Sequence, residues 1–107
     1  MPHADTLAAL TQQYLRDLVR IDTTNPPGNE KAAADYIAGV LRAAGVPSKV
    51  LESAPGRASV IARLKGDGSL RPLLLLSHLD VVPADPTEWD QPPFAANVVD
   101  GYMFGRG

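Results

Sequence analysis

Cysteine is absent from all 107 residues. Disulfides and thiolate metal sites are therefore excluded, and the absence accords with a cytoplasmic protein. An excess of either charge is absent too. Ten Lys and Arg stand against twelve Asp and Glu, for a net charge of −2, and the basic residues are scattered, so the chain carries no electrostatic case for nucleic acid. No apolar run approaches the length of a bilayer span. Met1-Pro2-His3-Ala4-Asp5 lacks the basic and apolar regions of a secretory signal. Internal repeats and low-complexity segments are missing. So are the signatures of several enzyme classes. Gly66 and Gly68 are followed by Arg71 where a dinucleotide loop needs a third glycine, and there is no Walker-type lysine. No G-x-S-x-G elbow or H-E-x-x-H helix occurs.

What remains is a hydrophobic fraction of 45% and a charged fraction of 21%, ordinary for one small globular domain. Leu7, Leu10, Tyr14, Leu18 and Ile21 recur every three or four residues, with Leu15 and Val19 widening the stripe. This spacing predicts an amphipathic helix over 5–21, packed on a sheet, with Asp5 or Thr6 as N-cap. Asp22-Thr23-Thr24-Asn25-Pro26-Pro27-Gly28-Asn29 ends it, because Pro26 forces Asn25 out of helical geometry and Pro27-Gly28 favours a turn. A second helix is expected over 30–44 with Ala33, Tyr36, Ile37, Val40, Leu41 and Ala44 on its apolar face. Asn29 would cap its start and Gly45 would close it in a left-handed conformation ahead of Pro47. Strands are expected at 48–52 and 58–64. Val98 to Phe104 reads as a hairpin around a two-residue Asp100-Gly101 turn. Between them, Pro83, Pro86, Pro92 and Pro93 make a stiff loop pinned by Trp89 and Phe94, with Trp89 structural rather than a stacking platform.

The chain is organised around Leu73-Leu74-Leu75-Leu76-Ser77-His78-Leu79-Asp80. Four successive leucines read as a strand buried on both faces in an α/β sheet. Ligands bind outside the carboxyl ends of such strands, and this one ends in His78 and Asp80, which point to the same side of an extended chain. An imidazole can give one nitrogen to a metal and its other N–H to a carboxylate. The same pair could equally be a surface histidine bonded to a neighbouring aspartate. His3-Ala4-Asp5 repeats the spacing at a terminus where no site is expected. A catalytic zinc needs about three protein ligands. Asp85, Glu88, Asp90 and Asp100 show no ligand-like arrangement, so a metal at His78 would take its other ligands from chain beyond residue 107.

Ser77-His78-Leu79-Asp80-Val81-Val82-Pro83, Trp89, Pro92-Pro93-Phe94, Asp100-Gly101 and Gly105-Arg106-Gly107 together resemble the amino-terminal signature of the dinuclear zinc peptidases and amidohydrolases. That family includes aminoacylase, acetylornithine deacetylase, succinyl-diaminopimelate desuccinylase and glutamate carboxypeptidase. Asn25-Pro26-Pro27-Gly28-Asn29-Glu30 is similar to its loop between the first two helices. The resemblance implies an α/β catalytic domain, of which residues 1–107 form the N-terminal part: two helices, then strands of a mixed sheet and a C-terminal hairpin, without the lid domain. It implies hydrolysis of a peptide or N-acyl amide bond with two zinc ions, for which cobalt can substitute. His78 would be a metal ligand and Asp80 the catalytic acid that orients it. The substrate would be a small peptide or N-acyl amino acid, and the lid domain would allow a homodimer. The bridging aspartate and the glutamate general base are expected downstream, so the 107 residues alone are expected to be inactive and poorly folded. Two other classes stay open: a binding or structural module that kept the scaffold, and a hydrolase using one metal ion.

Overall fold

The computed structural model describes residues 3–107. The first apolar stripe forms α1, Ala4–Val19, and the second forms α2, Glu30–Ala43. His3, rather than Asp5 or Thr6, occupies the cap position of α1, its carbonyl accepting from the amides of Thr6 and Leu7. Asn29 stands at the N-cap of α2 without a side-chain cap bond. The end of α2 follows the expected chemistry. Gly45 is left-handed at φ 74°, the Val46 amide donates to Leu41 and the Gly45 amide donates to Arg42. These paired bonds satisfy carbonyls that the last helical turn leaves free.

β1, Ser48–Ala54, pairs antiparallel with β2, Arg57–Ala62, across the Pro55-Gly56 turn. α2 packs on this hairpin through Ala33, Ala34 and Ala38, all buried. Methyl-sized side chains let the helix axis approach the sheet closely, and they make a thin core. No large side chain is fully buried among the described residues. α1 has no buried residue; Leu7 and Leu15 are about half exposed. The helix is tied to the rest at its C-terminal end, where Tyr36 donates to Asp17 over 2.7 Å and Arg20 to the Ala95 carbonyl over 3.1 Å. None of the helices is long and apolar enough to cross a membrane, among the described residues.

Beyond the site, Asp85 accepts from the amide and hydroxyl of Thr87 and starts a 3-10 turn over Pro86–Glu88. Trp89 is half-buried beneath the Arg106 guanidinium, 5.2 Å from the ring centre. β3, Val98–Val99, and β4, Tyr102–Met103, form the C-terminal hairpin, with Asp100 and Gly101 both at positive φ (51° and 81°). That is the geometry a two-residue turn needs to match the strand twist.

The α/β order is therefore the expected one, with its strands in two small antiparallel sheets. The leucine run departs from expectation. Leu73 to Leu76 form no ladder and are 81–88% exposed. A doubly buried strand needs a partner at each edge and a layer on each face. β1 and β2 spend their inner edges on each other, and no other described strand lies beside the run. Among the described residues, parallel pairing is confined to one bridge, Thr24 with Val81.

Candidate functional site

That bridge joins the loop after α1 to the segment carrying His78 and Asp80. Asp22 opens the loop as a side-chain turn, its Oδ1 accepting from the amide and hydroxyl of Thr24. Thr23 is then buried, as is Glu30. Its hydroxyl donates to the Leu79 carbonyl over 2.7 Å. The Val81 amide donates to the Thr23 carbonyl, and the Asn25 amide donates to the Val81 carbonyl over 2.8 Å. Asp80 is thus flanked by hydrogen bonds on both sides, from the Thr23 hydroxyl at Leu79 and from backbone groups at Val81.

Its carboxylate is divided between two partners. Oδ2 accepts from the Asn25 side-chain amide over 2.9 Å. Oδ1 lies 3.1 Å from His78 Nδ1, which also lies 2.7 Å from the Asp80 carbonyl. Both groups facing Nδ1 are acceptors, so Nδ1 carries a proton, and in the neutral ring the lone pair is on Nε2. The His78 side chain is 78% exposed, whereas that of Asp80 is 32% exposed. Asn25 foremost, and His78 next, hold the Asp80 carboxyl below its ordinary value of 3.8, because both stabilise the ionised form.

An ion pair between Glu30 and Arg57 also braces the loop. Glu30, buried at the start of α2, is held by Arg57 at the start of β2, with Nε 2.6 Å and Nη2 2.6 Å from carboxylate oxygens. Gly28 is left-handed at φ 79° against this pair. The Lys31 amide donates to the Gly56 carbonyl and ties α2 to the tip of the β1–β2 hairpin.

The structure thus brings His78 and Asp80 together, and leaves His3-Ala4-Asp5 in α1 and its cap. The carboxylates of Asp85, Glu88, Asp90 and Asp100 do not join the pair: among the described residues no three His, Cys, Asp or Glu side chains come together. The donor chemistry at His78 fits one metal ligand, a neutral imidazole with its second nitrogen bonded to a carboxylate. Sequence reasoning missed Asn25 and Thr23 as partners of the pair. The loop motif marked the segment, but no local signal says which side chain reaches across the chain.

The chain is similar to known proteins over most of its length. Residues 74–107 match peptidase family M20/M25/M40, a stretch running from the leucine run to Gly107. The chain belongs to this family of hydrolases. It is 34% identical over 102 residues to an N-fatty-acyl-amino acid synthase/hydrolase PM20D1 of Xenopus tropicalis, covering 89% of this chain and 20% of that protein. To a probable succinyl-diaminopimelate desuccinylase of Staphylococcus epidermidis it is 37% identical over 97 residues, covering 89% and 23%. To an N-formyl-4-amino-5-aminomethyl-2-methylpyrimidine deformylase of Halalkalibacterium halodurans it is 33% identical over 111 residues, covering 100% and 26%. The chain spans about a fifth to a quarter of the length of these relatives.

Proposed function

We propose that the protein to which these residues belong is a zinc-dependent hydrolase of peptide or N-acyl amide bonds, with His78 as a metal ligand and Asp80 as the group that fixes it. The names of the relatives support amide hydrolysis as the common chemistry. The observation that carries the assignment of His78 is its ring geometry: Nδ1 faces two oxygens of Asp80, which leaves Nε2 of an exposed ring as the nitrogen open to a metal.

When bound, zinc would supply Lewis-acid polarisation of the scissile carbonyl and activation of water. The part of these residues is to hold a nitrogen donor in one orientation. Asp80 keeps the Nδ1 proton in place and adds negative charge behind the ring, which raises the basicity of Nε2. The exposure of His78 leaves room for further ligands, which this reading draws from chain that the longer relatives possess. The substrate is a small acylated amino acid or peptide, the class to which the acyl-amino acid hydrolase and the desuccinylase among the relatives point.

The test is zinc content and affinity in the full protein. His78→Ala is expected to cost most of one zinc equivalent and to reduce amide hydrolysis by several orders of magnitude. Full zinc occupancy in that variant would refute the assignment.

A further inference from the structure

We infer that Asn25 is a positioning residue of the site, acting through Asp80 to set the tautomer and orientation of His78. This rests on the reading of His78 as a metal ligand. It adds a residue from the α1–α2 loop, 55 positions away in the chain, whose contribution is a hydrogen-bond donor.

A carboxylate on an extended segment can rotate, and a rotation about χ1 would carry its oxygens away from Nδ1 of His78. The Asn25 amide occupies the other oxygen, Oδ2, at 2.9 Å. Asn25 is itself fixed, because its backbone amide donates to Val81. The donor therefore sits on a backbone registered against the segment it orients, one residue past Asp80. Thr23 makes a different kind of contact: its hydroxyl bonds the Leu79 carbonyl and leaves the Asp80 carboxylate untouched. The loop thus holds the segment at Thr23 and aims its carboxylate at Asn25. An amide suits the second task, since a carboxylate at that position would face another carboxylate at hydrogen-bond distance.

The experiment uses the full protein, labelled with 15N on histidine. In the zinc-free state, the ring nitrogen shifts of His78 report its tautomer, and zinc affinity is measured separately by chelator competition. Asn25→Asp keeps shape and backbone bonds but replaces the donor with a charge. Asn25→Ala removes the donor without adding charge and covers the case in which the first variant folds poorly. Both are expected to lower the Nδ1–H population and to weaken zinc binding by about tenfold, the lower end of the range for groups behind a metal ligand. Thr23→Val is expected to lower Tm and leave the tautomer unchanged.

An unchanged tautomer in both Asn25 variants overturns the inference while leaving His78 as a ligand, provided His78→Ala abolishes zinc binding. An equal tautomer shift in Thr23→Val overturns it as well, since loosening of the segment would then suffice. If His78→Ala binds zinc normally, the reading beneath the inference fails. The tautomer measurement still decides the role of Asn25 toward the imidazole in that case.

Discussion

Arg57 closes on Glu30 through both Nε and Nη2, joining the first residue of β2 to the first residue of α2 behind the loop that bears Asn25. The arginine hydrogen bonds, above all else, hold the Glu30 carboxyl below its ordinary value of 4.5. The native form therefore favours the ionised state more than the unfolded chain does. Its contribution to stability is complete above the unfolded value and is lost as pH falls through the lower, native one.

The first prediction concerns that window. Lowering pH from about 7 to about 3 should reduce Tm in a step assignable to Glu30. Glu30→Gln should be less stable at neutral pH and should lose that part of the step. Parallel acid titrations of Tm in the two proteins check it; superimposable curves would show that the pair contributes nothing.

Two left-handed glycines provide the second. A methyl group at Gly45 meets nothing within 4 Å, whereas at Gly28 it would stand 2.7 Å from Arg57 Nε and 2.9 Å from Glu30 Oε2. Gly45→Ala should cost only the conformational penalty of about 1–2 kcal/mol. Gly28→Ala should cost about 1 kcal/mol more, because the ion pair must move. Denaturant melts of each variant measure the difference. Adding Arg57→Ala should shrink the excess at Gly28 and leave Gly45→Ala unaffected, a coupling expected only between neighbours.

The third lies between the helices. Burial, and then the hydrogen bond to Asp17, push the Tyr36 hydroxyl up to about 12. Ultraviolet titration should show one tyrosine ionising well above its ordinary value of 10.0. The neutral phenol is the form the fold favours, so its contribution holds below the ordinary value and fades as pH rises toward the native one. Asp17→Asn should bring the transition down part of the way, leaving the share due to burial.

The fourth concerns the leucine run. Four adjacent exposed leucines with unpaired edges form an adhesive surface. The 107-residue chain should bind a hydrophobic dye strongly and scatter light at modest concentration. Leu74→Lys with Leu76→Lys should reduce both signals. Dye binding unchanged by those substitutions would place the adhesive surface elsewhere.

Signals carried within a few residues were legible in the sequence. The Gly45 helix stop, the Asp100-Gly101 turn and both helices depend on local backbone geometry, and the structure has them close to where the residues put them. The expected packing of α1 on a sheet, which depends on neighbours, is not formed: α1 buries no residue. His78 and Asp80 were legible for the same reason, being two apart on an extended segment. The leucine run was misread because burial belongs to the neighbours of a strand as much as to its own residues. Asn25 and Thr23 were marked only as part of a loop motif. Their partners lie 55 and 56 residues away, and no periodicity encodes which atoms meet over that distance.

The Thr24–Val81 bridge has a consequence for the order in which the molecule assembles. It can close only when a loop of more than fifty residues has been drawn in, and the entropy of that closure is lowered if α2 and the β1–β2 hairpin have already formed inside it. The local elements should therefore mature first and the His78–Asp80 pair last. The amides of Asn25 and Val81 would then be among the latest to gain protection from exchange. Metal arriving early would find the histidine before the loop had aimed it.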